Sequence, residues 1–178
     1  MLIVVTGGSG SGKSAYAEGR IVSSGISKRY YTATMICNDE ESERRIRRHR
    51  MMRADKQFET VECPKDLQMV SVEAESAVLL ECMSNLTANE MFAGENPKNS
   101  DEITEKIMNG IETLLKQCSL LVVVTNEVFS DGCSYDPMTE EYLKALGSVN
   151  CRLAEMADEV VEVVYSIPII RKNRRKNQ

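Results

Sequence analysis

The sequence has no tryptophan, a single histidine and no long run of apolar residues. A helix that crosses a membrane needs about 20 consecutive apolar residues, so none is expected here. The six cysteines include no C-x-x-C pair, which excludes the common zinc and dithiol motifs. No signal peptide is recognisable at the start of the chain. We therefore expect a cytoplasmic protein with reduced thiols and no membrane span.

A surplus of positive charge is also missing. The 178 residues carry a formal net charge of −5, so we expect no binding to nucleic acid or to an anionic membrane. Residues 44–53 nevertheless contain six arginines and one histidine and no acid, and the end of the chain is also basic. The length is that of a single domain. We place this domain at residues 1–170 and a solvated basic tail at residues 171–178.

The beginning of the chain carries the strongest motif. Residues 1–6 read MLIVVT, which predicts a buried strand, and residues 7–14 read GGSGSGKS ahead of a helical pattern. This is the G-x-x-x-x-G-K-[ST] phosphate loop in the strand–loop–helix context that the motif requires. Lys13 would contact the β- and γ-phosphates and Ser14 a Mg²⁺ ion. The predicted nucleotide-binding residues are Gly7, Gly8, Ser9, Gly10, Ser11, Gly12, Lys13 and Ser14.

Strands and helices alternate along the rest of the chain. Further strands are predicted at residues 29–33, 58–61, 76–81, 120–125 and 159–165. Helices are predicted at 13–23, 39–54, 101–118 and 138–157, with others starting at Lys65 and following residue 81. This alternation predicts an α/β fold, a P-loop NTPase-like (RecA-like), mostly parallel sheet with helices on both faces.

Glu81 ends the apolar strand SAVLLE. In phosphate-loop proteins, an acid at the end of such a strand holds the Mg²⁺ of the nucleotide, directly or through water. The alternative is a strand-terminal acid that faces solvent. We favour Ser14 and Glu81 as the metal-binding pair.

The charged segment 40–53 contains the only histidine. Three Glu–Arg pairs spaced i, i+4 account for Arg44, Arg45 and Arg47 as a solvated helix face. The remaining arginines surround His49 without such partners. Neighbouring cations favour the neutral, nucleophilic form of an imidazole, and they could also grip a triphosphate. A structural or solvent-exposed histidine is the alternative.

A polar triplet, Thr125-Asn126-Glu127, follows the most apolar predicted strand, LLVVV. Ligands of open α/β sheets collect at this edge, so the triplet either orients an attacking hydroxyl or a nucleotide or is a simple turn. The base-reading NKxD motif of switch GTPases is absent from the sequence. This absence argues against a signalling GTPase.

Several segments in this order are together specific to one family. They are VTGGSGSGKSAYAE, YYTAT, DEESERRIRRHRMMR, ETVEC, AVLLECMSNLTANEMF, VVVTNEV and VNCRLAEMADEVVEVV. The chain thereby resembles the bifunctional adenosylcobinamide kinase / adenosylcobinamide-phosphate guanylyltransferase family of cobalamin biosynthesis. The resemblance extends almost from end to end.

The resemblance implies a two-step enzyme that uses ATP or GTP and Mg²⁺. The corrinoid substrate adenosylcobinamide is phosphorylated first. His49 then takes GMP from GTP as a guanylyl-histidine and passes it to adenosylcobinamide phosphate, giving adenosylcobinamide-GDP. His49 and Lys13 are the implied catalytic residues, and a homotrimer is the implied assembly. The further nucleotide-site residues implied by this matching are Ala33, Thr34, Met35, Arg50, Met51, Met52, Arg53, Glu62 and Glu81.

The chain departs from the family pattern where the corrinoid and the partner subunit are expected. The family usually has arginine at Gly10, serine at Met35 and glycine at Phe129, and an arginine is missing near residues 141–144. Two alternatives therefore stay open. One is a single-function phosphate-loop kinase for another small metabolite, and the other is a nucleotide-binding regulatory module without chemistry.

Overall fold

The computed structural model describes residues 1–36, 40, 43–44, 47, 51, 53–94 and 97–174. The strands are β1 (Leu2–Thr6), β2 (Arg29–Ala33), β3 (Phe58–Glu62), β4 (Ala77–Glu81), β5 (Leu120–Val124), β6 (Glu159–Val164) and β7 (Ile167–Asn173). The α-helices are α1 (Lys13–Ser23), α2 (Met83–Met91), α3 (Ser100–Gln117) and α4 (Pro137–Met156). In the segment where a charged helix was predicted, the described residues 40, 43–44, 47, 51 and 53 are helical. No helix of the described ranges is long and apolar enough to cross a membrane.

The strands form one seven-stranded sheet in the order β3-β2-β4-β5-β1-β6-β7. All neighbouring strands pair in parallel except β6 and β7, which are antiparallel. The central strands are apolar on both faces, as expected of parallel strands covered on both sides. The carboxyl ends of β1, β2, β4 and β5 therefore meet at one edge. This confirms the predicted α/β fold with a mostly parallel sheet.

Alternating side chains divide the core between the two faces of the sheet. Ile3 and Val5 of β1 join a cluster with Ala17 and Ile21 of α1, and we call this side the α1 face. The alternate residues of the strands pack with α2, α3 and α4, and we call that side the three-helix face. The larger of the two apolar clusters lies on the three-helix face.

The helix predicted to start at Lys65 is wrong. Its place is taken by a 3₁₀ turn, Leu67–Met69, preceded by Asp66 in the left-handed region at φ 57°. Tertiary contacts fix this backbone, because the N–H of Asp66 donates to the buried Glu90 carboxylate at 2.6 Å. Lys106 of α3 bridges Asp66 and Glu90 at 2.6 Å each.

The basic tail also differs from the prediction. Tyr165 and Ser166, at φ 50° and 65°, make a tight turn, and the chain returns along β6 as β7. Arg171 of β7 pairs with Glu162 of β6 at 2.5 Å. The predicted domain boundary after residue 170 therefore falls inside a strand. A two-residue hairpin usually carries Asn-Gly or a similar pair, so Tyr-Ser gave no turn signal.

Candidate functional site

The loop between β1 and α1 has the conformation that its glycines predict. Gly10 and Gly12 lie at φ 71° and 91°, in the left-handed region that glycine favours. A Cβ atom at Gly12 would lie 2.7 Å from the hydroxyl oxygen of Ser166, in the β6–β7 turn. The N–H of Ser166 donates to the carbonyl of Ser11 at 2.8 Å. The turn that the sequence did not predict thus packs directly against the phosphate loop.

Lys13 lies at the beginning of α1, and its ammonium group donates to the carbonyl of Gly8 at 3.1 Å. The N-cap of this helix, Gly12, has no side chain with which to cap the first turn. First-turn N–H groups lack intrahelical partners and bind phosphate readily, with the positive end of the helix dipole adding to the attraction. The loop, Lys13 and the start of α1 together have the features of a phosphate site.

Glu81 brings the end of β4 to this loop. The Ser14 hydroxyl donates to Oε1 of Glu81, and the Tyr31 hydroxyl donates to Oε2 at 3.3 Å. A hydroxyl and a carboxylate in contact are oxygen donors that suit Mg²⁺ when nucleotide phosphates complete its coordination. No cluster of three or more metal-ligating side chains occurs in the part of the chain that the structure describes.

Arg53 packs on the other side of Tyr31. Its guanidinium carbon lies 3.3 Å from the centroid of the Tyr31 ring. The Arg53 residue is only 6 % exposed, and its Nη1 makes no hydrogen bond within the described ranges. Burial, followed by the charge of Glu81, raises the pKa of Tyr31 well above its ordinary value. The Tyr31 hydroxyl therefore stays protonated and acts as a donor to Glu81.

Three predicted site residues stand side by side at the carboxyl edge of the sheet. In the strand register, Ala33 of β2 pairs with Glu62 of β3 on one side and with Glu81 of β4 on the other. Glu62 is exposed, whereas Ala33 and Met35 are half-buried. The structure thus brings Glu62, Ala33 and Glu81 into one row.

Thr34 has an internal role at this edge. Its hydroxyl donates to the carbonyl of Cys82 at 2.9 Å and accepts from the Cys82 N–H at 2.7 Å. Its own carbonyl accepts from the Asn89 amide at 2.8 Å. The Thr34 side chain therefore ties the end of β2 to the end of β4.

The segment after β5 also reaches the loop. The N–H of Glu127 donates to the carbonyl of Gly7 at 3.2 Å. Asn126 donates to the Ser84 hydroxyl at 2.6 Å, and the Thr125 hydroxyl donates to Asn150 at 2.6 Å. The predicted position of this triplet at the carboxyl end of β5 is confirmed, and two of its three side chains bind neighbouring helices.

The charged segment is only partly described. His49, Arg50 and Met52 lie outside the described residues. Met51 is 73 % exposed, whereas Arg53 is buried against Tyr31. Sequence reasoning missed Tyr31, although its position two residues before Ala33 puts both on the same face of β2.

Comparison with known proteins identifies the family. A model of the family described as cobinamide kinase / cobinamide phosphate guanyltransferase matches residues 3–170. The bifunctional adenosylcobalamin biosynthesis proteins CobU of Salmonella typhimurium and of Escherichia coli are each 34 % identical to this chain. Each alignment covers 95 % of this chain and 98 % of the relative.

Two solved structures support the fold independently. The flagellar accessory protein FlaH from Methanocaldococcus jannaschii superposes with a TM-score of 0.52 over 97 % of this chain and 78 % of that one. A DnaB-like replicative helicase superposes with a TM-score of 0.53 over 95 % of this chain and 54 % of that one. The sequence identities are 13 % and 8 %, so these likenesses concern the fold alone. They agree with the predicted P-loop NTPase-like (RecA-like) architecture.

Proposed function

We propose that one nucleotide site serves both activities of this chain, which belongs to the cobinamide kinase / cobinamide phosphate guanyltransferase family. The enzyme is an adenosylcobinamide kinase and an adenosylcobinamide-phosphate guanylyltransferase of cobalamin biosynthesis. The observation that carries the single-site proposal is the contact of Glu81 with both Ser14 and Tyr31. The ring of Tyr31 in turn packs against the guanidinium of Arg53, which belongs to the same sequence segment as His49.

The phosphate side of the site is assigned to the loop. Backbone N–H groups of residues 7–14 and the ammonium of Lys13 would bind the phosphates of ATP or GTP. Ser14 and Glu81 would hold Mg²⁺, which when bound with the nucleotide neutralises charge on the phosphate oxygens. Ala33, Met35 and Glu62 would lie along the nucleotide at the edge of β2 and β3.

The guanylyl step is assigned to His49. An imidazole nitrogen would attack the α-phosphorus of GTP, forming an N–P bond as the bond to the leaving pyrophosphate breaks. The phosphate of adenosylcobinamide phosphate would then attack the same phosphorus and release the histidine. Covalent catalysis of this kind divides one difficult displacement into two easier ones. Arg50 and Arg53 would stabilise the negative charge that develops on the phosphate oxygens.

We infer a cytoplasmic homotrimer whose corrinoid cleft lies between subunits, with no nucleic-acid partner. Light scattering coupled to gel filtration tests the assembly, and a monomer at micromolar concentration would contradict it.

The test of the guanylyl step is covalent labelling. The protein is incubated with Mg²⁺ and GTP labelled at the α-phosphate and then denatured. We expect an acid-labile, alkali-stable label, typical of a phosphoramidate, that disappears in His49→Ala while ADP release with adenosylcobinamide and ATP continues. Arg47→Gln is the matched control, because Arg47 is exposed and pairs with Glu43 on the helix surface.

Two outcomes would contradict the assignment. A label of unchanged yield in His49→Ala would exclude this histidine as the nucleophile. Corrinoid phosphorylation without any label in the unaltered protein would leave the chain a kinase alone.

A further inference from the structure

Two consecutive tyrosines of β2 make parallel contacts on opposite faces of the sheet. Tyr30 and Tyr31 are 4 % and 5 % exposed, and each donates its hydroxyl to a carboxylate, Glu73 and Glu81 respectively. A cation also packs over each ring. Nζ of Lys28 lies 5.1 Å from the centroid of the Tyr30 ring, and Cζ of Arg53 lies 3.3 Å from that of Tyr31. Of these two tyrosines, Tyr31 is the one whose partners, Glu81 and Arg53, belong to the proposed nucleotide site.

We propose that Tyr31 is a positioning residue shared by the two half-reactions. Its hydroxyl holds Glu81 in the orientation needed beside Ser14, and its ring holds Arg53 and thereby the end of the segment that carries His49. This inference rests on the proposed function, since it assumes that both half-reactions use the phosphate loop.

The carboxylate of Glu81 is held by a hydrogen bond at each of its two oxygens. One carboxylate oxygen accepts from Ser14 in the phosphate loop and the other from Tyr31 in β2. A carboxylate held at both oxygens cannot rotate without losing a hydrogen bond to a charged group, which is stronger than one between neutral groups. Removing the Tyr31 hydroxyl releases one of these two constraints and leaves the ring in place.

The guanidinium group of Arg53 is held against the ring of Tyr31. A planar guanidinium stacks on an aromatic ring, and a contact of this kind is strongest where both groups are desolvated. Arg53 is buried, yet its Nη1 makes no hydrogen bond within the described part of the chain. A buried guanidinium N–H without an acceptor is costly, so an anionic ligand is the favoured partner. The nucleotide phosphates are the anion that the proposed function brings to this edge.

The experiment separates the hydroxyl from the ring. Tyr31→Phe removes the hydroxyl only, Tyr31→Leu removes both, and Arg53→Lys keeps the charge but loses the planar stack. Tyr30→Phe is the matched control, because Tyr30 on the other face is as buried as Tyr31 and also donates its hydroxyl to a carboxylate. The readouts are the Mg²⁺ concentration for half-maximal binding of a fluorescent GTP analogue and the rate of covalent labelling from α-labelled GTP.

For Tyr31→Phe we expect the Mg²⁺ midpoint to rise roughly 10-fold, the effect of one hydrogen bond to a charged group. The labelling rate at saturating Mg²⁺ should fall by a smaller factor than that. For Arg53→Lys we expect a labelling rate lower by about 10-fold, with a smaller shift of the Mg²⁺ midpoint than in Tyr31→Phe because the positive charge is kept. Tyr31→Leu should show both defects, and Tyr30→Phe neither.

Each arm can be overturned separately. Equal Mg²⁺ midpoints in Tyr31→Phe and Tyr30→Phe would refute the role of the hydroxyl. Labelling of Arg53→Lys at the unaltered rate would refute the role of the ring contact, and this variant decides the point even if Tyr31→Leu fails to fold. Absence of label in the unaltered protein would instead refute the assignment of His49, and the Mg²⁺ titration would still test the hydroxyl.

Discussion

Buried charges are treated differently on the two faces of the sheet. On the three-helix face, Glu90 uses both carboxylate oxygens, one with the Asp66 N–H and one with Lys106. On the α1 side, Glu18 pairs with Lys56 through one oxygen, while Oε1 has no hydrogen bond among the described residues. Likewise, Nη1 of the buried Arg53 has no hydrogen bond among the described residues. Neutral hydroxyls without a partner among the described residues occur on the three-helix face too, at Thr87 and Ser100, so the contrast concerns the charged groups. A buried charged group with an unpartnered atom lowers stability and is typical of a site that awaits a ligand.

We infer from this difference that the three-helix face contributes mainly to stability and the α1 face to chemistry. The larger apolar cluster covers the three-helix face, whereas the α1 face holds the phosphate loop helix, Tyr31 and Arg53. Substitutions on the two faces should therefore separate a loss of activity from a loss of stability.

The largest effect is expected on the α1 side from Lys13→Ala. Both corrinoid phosphorylation and guanylyl labelling should fall by at least about 100-fold, because each passes through charge on phosphate oxygens that Lys13 neutralises. The thermal unfolding midpoint should stay unchanged. Lys98→Ala is the control, since Lys98 lies at the surface beside Glu102. A variant of Lys13 that kept either activity would show that the two steps use different sites.

Next in size are matched cavity substitutions on the two faces. Ile107→Ala on α3 and Ile21→Ala on α1 remove the same atoms from fully buried positions, and each should lower the free energy of unfolding by about 2–5 kcal/mol. Only Ile21→Ala should also weaken binding of a fluorescent GTP analogue, because α1 carries the phosphate loop. Urea unfolding and nucleotide titration measure the two effects. Equal nucleotide affinities in the two variants would contradict the division between the faces.

Two helical glycines provide a smaller test with opposite signs. A Cβ atom at Gly110 of α3 would lie 2.8 Å from Cβ of Leu67, whereas one at Gly19 of α1 would meet nothing within 4 Å. Gly110→Ala should destabilise by about 1–3 kcal/mol through overpacking. Gly19→Ala should stabilise by about 0.5–1 kcal/mol through lower backbone entropy in the unfolded chain. Denaturant unfolding of both variants checks the signs, and a stabilised Gly110→Ala would mean that the turn at Leu67 packs loosely.

The mildest test is the reactivity of thiols on the three-helix side. Burial raises the pKa of Cys63 to about 11 and also raises the pKa of Cys118. Cys133 and Cys151 are exposed. At pH 8, iodoacetamide should modify the two exposed cysteines in the folded protein and the two buried ones only after unfolding, since the thiolate is the reactive form. Peptide mass spectrometry reads the result, and rapid modification of Cys63 would show that this face opens readily.

The sequence was a good guide wherever structure depends on neighbours in the chain. The strand at β1, the glycine conformations of the loop and the apolar period of α3 each follow from local sterics or from a periodic pattern. Glu81 was found because the carboxyl end of a buried strand has a known position in such sheets. Family membership followed from the order of the matched segments.

Other features were decided only by contacts between distant parts of the chain. The segment after Lys65 has no helix because Glu90 and Lys106 hold Asp66 in a left-handed conformation. Strand β7 exists because its backbone and Arg171 find partners on β6, although Tyr-Ser is a poor turn signal.

The sequence by itself determined six strands of the sheet, the phosphate loop and the acid that faces it, since each follows from a local motif or pattern. The tertiary structure alone decided that the Tyr31 hydroxyl donates to Glu81 and that the Tyr31 ring packs against Arg53. Such contacts join residues 22 to 50 positions apart in the chain, where no period or spacing rule applies. They form because parallel strand register and the packing of the α1 face bring those side chains to one edge.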